Sequence, residues 1–459
     1  MVGSLTNNCD ISNFALYGTI KRYGSYGAVQ HANSCGTKDA IFSTNKLVLF
    51  YQDGQFDPIA PHSKLPLFPS QNQMNNLTAI TTPHYSLSSD SACKRQKHRQ
   101  PLLPGLPDHI AQLCLSLVPP STLYSVCRSW RRLIYSPSFP PFLSLYAIFS
   151  STEIQSDLSN PIQFSSFDPI SCKWLPIPNP PPEPPIRLLL RHPSFISRYL
   201  PIQSVVVSGK LVLLAATAGE FLPALSKPLI FDPLSQKWAH GPPISVPRRW
   251  CAAGTSRGVV YVASGIGAHY DNDVARSVEK WNFDVQQDRL QNQRRWRWEK
   301  MAKLRDAKFS REAIDAVGWK GKLCMVNVKG VGAKEGIIYD VERDTWEEMP
   351  EGMLAGWRGP AAAMEEETIY MVDESKGWLK KYDHVKDTWV EVVKNEMLKG
   401  AQQVVAAGGK VCVLCADCVG IAVVDVAAAP PARIWTVEVP PGFEAVGIHV
   451  LPRLCSSDV

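Results

Sequence analysis

No apolar run in this chain approaches the roughly 18–20 residues that a helix needs to cross a bilayer. The opening residues MVGSLTNNCDISNF also lack the charged segment leading into an apolar core that marks a secretory signal. Residence in the nucleus or cytoplasm is therefore expected, with no membrane partner. Charge of one sign is missing as well. Residues 1–100 carry nine Lys and Arg against five Asp and Glu, and residues 101–459 carry 39 against 37. Phosphate recognition needs basic side chains gathered on a folded face, so nucleic acid is not an expected partner. The ten histidines form no H-x-H or H-E-x-x-H pair. The twelve cysteines keep no regular spacing, and the tightest group, Cys412, Cys415 and Cys418, lacks the second pair of ligands that a zinc site wants. Buried free thiols in a reducing compartment are the expectation, with no metal and no cofactor.

What the chain does have is two textures behind a polar start. Residues 1–100 are rich in Ser, Asn, Gln and Pro without sustained periodicity and read as a disordered tail. Met74 offers a second start within it. Lys94, Arg95, Lys97 and Arg99 near its end fit either a nuclear-import patch or a solvated tail. Residues 101–140 are dense in apolar side chains. Pro107 and Asp108 suit a first helical turn, after which Ile110, Leu113, Cys114 and Leu117 recur at helical spacing on one face. Pro119-Pro120 stops that helix, and Ser121 is a candidate N-cap for the next. Its face repeats as Leu123, Val126, Cys127 and Trp130, then Leu133 and Ile134. Two or three helices this short cannot hide all those faces against one another.

Residues 141–459 turn to short β-branched runs, turns and tryptophans. One element recurs: an aromatic residue, then Asp, then Trp six residues after the Asp. It stands at Phe167-Asp168 with Trp174, Phe231-Asp232 with Trp238, Tyr339-Asp340 with Trp346, and Tyr382-Asp383 with Trp389. Stretched versions run from Asp284 to Trp298 and from Asp425 to Trp435. Six units leave about 50 residues for each. Between them lie hairpin patterns such as SVVVSGKLVLLAA and QVVAAGGKVCVLCAD. Four strands per unit with an outer Trp predict a β-propeller of about six blades. The Asp is expected to cap a turn and the Trp to fill the space between blades.

Together the two halves resemble the plant F-box/kelch-repeat proteins. The F-box pattern is carried by Leu106-Pro107-Asp108, Ile110, Leu117, Leu123, the VCRSW of Val126–Trp130, Leu133-Ile134 and Phe139; the kelch pattern is carried by the aromatic-Asp…Trp units. The paired glycines of the kelch pattern are mostly missing, Gly265 and Gly267 being split. The fold class implied is mainly β: a kelch propeller over residues 141–459, preceded by an all-α F-box at 101–140 and the tail at 1–100. The resemblance implies a non-catalytic substrate receptor of a cullin-RING ubiquitin ligase. Its F-box would dock a Skp-type adaptor through Leu106, Pro107, Ile110, Leu113, Cys114, Leu117, Leu123, Val126, Trp130 and Leu133. Its propeller would hold a target protein. A kelch scaffold that docks without leading to degradation is the alternative, and an enzyme using the propeller channel a distant third.

Chemistry of the chain's own finds little support. Gly254 to Gly258 spells G-x-S-x-G, but between two strand patterns it reads as a hairpin turn rather than a nucleophile elbow. The run RRWRW, Arg294 to Trp298, mixes basic and aromatic residues as single-strand nucleic-acid binders do, yet reads as a surface loop. A basic residue recurs before successive inner strands: Arg249, Arg311 and Arg358, with Lys399 at a similar distance. In kelch domains those loops lie at the ligand-binding face, so the resemblance implies that Arg249, Arg311 and Arg358 contact the target. Each arginine serving only to brace its own loop is an equal reading.

Overall fold

Prolines set where the helices start and stop. Helix α1 (Asp108–Leu115) opens after Pro107, with Asp108 in its first turn. Helix α2 (Pro120–Val126) begins at a proline whose fixed φ suits that position, with Pro119 as N-cap. The helix thus starts one residue before Ser121, which is not its cap. Cys127 is extended at φ −155° and ψ 166°, so α3 (Arg128–Tyr135) is a separate helix rather than a continuation. Leu115, Leu123, Leu133, Ile134 and Phe139 form a small core, completed by Phe142 and Ile170. These features come from a computed structural model that describes residues 101–152, 162–181, 202–216, 222–283, 296–310, 315–327, 335–416 and 420–455. The expected tail at 1–100 lies outside the described residues.

Most of the rest of the described chain is sheet, antiparallel within each blade. β1 (Leu143–Ser151), β2 (Ile162–Asp168) and β3 (Lys173–Pro176) belong to the first blade, and β4 (Ile202–Val207), β5 (Lys210–Ala216), β6 (Leu229–Asp232) and β7 (Lys237–His240) form the second. The third comprises β8 (Ala252–Ser256), β9 (Val259–Ala263), β10 (Val278–Asn282) and β11 (Glu299–Lys300), the fourth β12 (Asp315–Trp319), β13 (Lys322–Asn327), β14 (Glu335–Asp340) and β15 (Thr345–Glu348). The fifth holds β16 (Ala361–Met364), β17 (Thr368–Asp373), β18 (Trp378–Asp383) and β19 (Thr388–Lys394), the sixth β20 (Ala401–Ala407), β21 (Lys410–Cys415), β22 (Gly420–Asp425) and β23 (Arg433–Glu438). The last strand, β24 (Phe443–Pro452), returns to the first blade and pairs along β1 from Leu143↔Pro452 to Ser151↔Phe443. The innermost strands β4, β8, β12, β16, β20 and β24 touch in succession, and β24 meets β4. The described residues therefore form a closed propeller of six blades.

Strand periodicity explains why the ring holds. Along β5, Leu211 and Leu213 face the first blade while Val212 and Leu214 face the third, so every blade is apolar on both sides. Six hydrophobic clusters result, one at each interface between neighbouring blades. Blades three and four come closest. Their inner strands pair in parallel through Asp315↔Ala253 and Ala316↔Gly254. A Cβ at Gly254 would collide with the Ala316 carbonyl, and one at Gly318 with that of Thr255. Only glycine permits that approach.

Candidate functional site

The Asp and Trp of each repeat set the blade geometry and hence the loops. Asp168 accepts from the Ile170 and Ser171 amides at 3.0 and 3.2 Å. Asp340 accepts from Glu342 and Arg343, both at 3.0 Å, and Asp383 from Val385 and Lys386. Asp232 accepts from the Leu234 amide at 3.0 Å. Each caps the turn between third and fourth strands. In these four repeats the outer Trp donates its Nε1–H backwards, to a carbonyl at the end of the preceding blade's last strand or in the segment that follows it. Trp174 reaches Glu438, Trp238 reaches Pro178, Trp346 reaches Ala302 and Trp389 reaches Met353, at 2.7–2.9 Å. The third blade is shifted. β10 and β11 pair through Lys280↔Glu299, and continuing that register sets Trp281 opposite Trp298, 5.6 Å away. Trp281, not Phe283, takes the aromatic position, with Asn282 in place of Asp; Asp284 lies outside the described residues. Trp296 and Trp298 of the RRWRW run are therefore blade packing.

Antiparallel order gives the propeller two faces. Turns between third and fourth strands, and hairpins between first and second, lie on one face; loops leading into the inner strands lie on the other. The helices sit at the first face: Ile170, in the β2–β3 turn, belongs to their core, and the Tyr135 hydroxyl donates to Asp168 Oδ2 at 2.7 Å. Ser256 of the G-x-S-x-G sequence is on the same face, buried in the β8–β9 hairpin and donating to Glu366 at 3.1 Å.

The helices leave a ridge uncovered. α1 turns Ala111 and Leu115 inward, while Leu113 and Leu117 are 65% and 88% exposed. Leu106, Ile110 and Val126 are exposed beside them, as are Pro107 and Cys114. Trp130 is half-buried, its Nε1 donating to the Leu102 carbonyl at 2.9 Å. Leu123 and Leu133 differ: they are buried, because a three-helix unit needs some core of its own.

The chain has named relatives among plant proteins. The F-box/kelch-repeat protein SKIP25 of Arabidopsis thaliana is 56% identical over 360 residues, spanning 77% of this chain and 90% of the relative. The chain belongs to the F-box/kelch-repeat family. More distant relatives from the same plant are F-box protein AFR, 25% identical over 64% of this chain and 74% of its own length, and F-box/kelch-repeat protein SKIP4, 23% identical over 71% and 85%. No protein-family model matches the sequence. F-box/kelch-repeat proteins generally serve as non-catalytic substrate adaptors of SCF ubiquitin ligases.

On the far face of this F-box/kelch chain the arginines part company. Arg248 is buried and structural: it pairs with Glu279 and donates to Ser277 Oγ at 2.7 Å and the Ser264 carbonyl at 3.1 Å. Arg249, next to it, is half-buried. Its backbone bridges Ile266, and its guanidinium lies 4.4 Å from the Trp250 ring centre. Nε and Nη1 are covered yet have no hydrogen-bond partner among the described residues, and burial lowers its pKa. Trp250, which the repeat pattern gives no reason to single out, holds a left-handed φ of 54°. Arg358 is exposed and has no polar partner among the described residues. Lys399 pairs with Glu396 at 2.6 Å. Arg311 lies outside the described residues. Of the three nearby cysteines, Cys412 is buried with its thiol pushed up to about 12 by desolvation, Cys415 donates to the Met397 carbonyl, and Cys418 lies outside the described residues.

Proposed function

We propose that this chain is the target-recognition subunit of an SCF-type cullin-RING ubiquitin ligase, acting in the nucleus or cytoplasm. The exposed ridge of Leu106, Ile110, Leu113, Leu117 and Val126, with Pro107 and Cys114 beside it, docks the Skp-type adaptor. Trp130, Leu123 and Leu133 hold that ridge in shape. Arg249 and Arg358, with Arg311, engage the target from the opposite face. The chain performs no bond chemistry; it holds a target near the transfer machinery.

The observation that carries this reading is the ridge itself. Covering a leucine side chain fully is worth about 1.5–3 kcal/mol, and contiguous exposed apolar surface beside a self-sufficient domain marks an interaction site. The test has two arms, each using the full-length chain. Leu113→Asp with Leu117→Asp should reduce capture of a Skp-type adaptor at least tenfold while target capture is kept. Arg249→Ala with Arg358→Ala should do the reverse. Adaptor capture that survives the double leucine change overturns the docking reading.

A further inference from the structure

Arg453 follows the last strand, far from both surfaces in the sequence, and is only 2% exposed. Among the described residues it has no carboxylate partner; backbone oxygens and the Cys455 sulfur accept hydrogen bonds from its terminal nitrogens, while Nε has no partner there. Nη1 donates to the Tyr135 and Leu454 carbonyls at 3.2 and 3.1 Å, and Nη2 to Ser136 and Phe139 at 2.8 and 3.4 Å. Ser136 is the C-cap of α3. Three of these four acceptors, Tyr135, Ser136 and Phe139, are carbonyls at the end of that helix and in its following turn, which no intrahelical amide satisfies and which lie at the negative end of the helix dipole. A buried guanidinium is costly unless so compensated. The Tyr135 and Phe142 rings flank it, 5.9 and 5.6 Å from their centres.

Two further ties converge on the same helix end. The Arg453 amide donates to the Phe142 carbonyl at 2.8 Å, continuing the β24–β1 ladder past Pro452. Tyr135 anchors to Asp168 at 2.7 Å. Arg453 can reach α3 only when β24 lies along β1, because it is the residue immediately after the pair Leu143↔Pro452.

We propose that Arg453 is a positioning residue that makes closure of the ring and placement of the F-box a single event. A propeller whose last strand is docked holds the helices at one fixed angle. An open ring leaves them held only by Ile170, the Tyr135–Asp168 bond and residues 136–142, and so over a wider range of angles. The distance from adaptor ridge to target face is then set by the C-terminal strand, whatever partner the helices engage.

The test measures that distance in the full-length chain. Labels carried by non-natural amino acids at exposed Ser129 and Glu391 avoid the twelve cysteines. Wild type should give one narrow distance distribution. Arg453→Met, which keeps the stem and removes the donors, should at least double its width, while tryptophan emission and thermal melting of the propeller stay as in wild type. Arg453→Lys should restore part of the narrowing. A wild-type width in Arg453→Met overturns the proposal, and so does loss of the propeller along with the angle if Tyr135→Phe, which removes only the Asp168 tie, also leaves the width unchanged. Broadening in Tyr135→Phe that matches Arg453→Met overturns it as well, because the Asp168 tie forms without β24.

Discussion

In the F-box, Leu117 is 88% exposed two residues past the end of a helix whose inner face is Ala111 and Leu115; in the propeller, Trp281 and Leu211 are 0% and 1% exposed between stacked sheets. Both regions have more apolar residues than one face can use. A blade resolves this by lying between two others, so each strand hides both its faces. Three short helices have one shared interior and no second neighbour. What cannot go inward stays on the outside, and the geometry of that remainder is a ridge. Apolar surplus is therefore structural where a repeat surrounds it and available for binding where nothing does.

The largest test of that contrast is Trp281→Ala. The ring packs against Phe283, Trp296 and Trp298 at 5.1–5.8 Å. Its loss should cost about 3–5 kcal/mol in chemical denaturation, read from the propeller transition. Next comes pH. His449, on the inner strand β24, shares a hydrogen bond with Ser204 at 2.9 Å, and burial holds its imidazole down at about 4. The unfolded chain protonates this residue near pH 6.5. Stability should therefore be full above about pH 6.5 and fall as pH drops towards 4, by roughly 3 kcal/mol in total. His449→Gln should flatten that slope in denaturation curves at pH 7 and pH 5. The smallest effect sharpens the contrast most. Leu117→Asp should alter unfolding free energy by less than about 0.5 kcal/mol, although the same change contributes to loss of adaptor capture. A cost near that of Trp281→Ala would mean the ridge is core after all.

The fold was legible because the Asp-to-Trp spacing survives where most of the rest of the repeat has drifted. Turn capping by the Asp and the pairing of the aromatic residue with the Trp across that turn both act over a few residues, so four blades announce themselves. The third blade hides because Trp281 and Asn282 replace the usual aromatic and Asp, while Phe283-Asp284 imitates them two residues later. Periodicity also located the ridge: Ile110, Leu113, Cys114 and Leu117 share a face. It could not say that Leu123 and Leu133 turn inward, since Cys127 ends the second helix and resets the direction of the third. Arg453 left no local signal at all. Its partners at the helix end are over 300 residues earlier, and a lone arginine after a strand looks like any solvated terminus. The unpartnered nitrogens of Arg249 were equally out of reach, because burial of a loop side chain depends on neighbouring loops rather than on spacing.

The glycines at 254 and 318 leave the ring mechanically uneven. Among the described residues, blades three and four are the pair whose inner strands are stitched in a ladder, whereas other neighbours meet through side chains and isolated backbone bonds such as Lys320 to Glu366 at 2.8 Å. Local opening follows the weakest boundary. The two stitched blades should therefore exchange their inner-strand amides with solvent as one cooperative block. Any gap that lets the ring breathe belongs at another seam, so the circle behaves as a clip with a stiff back.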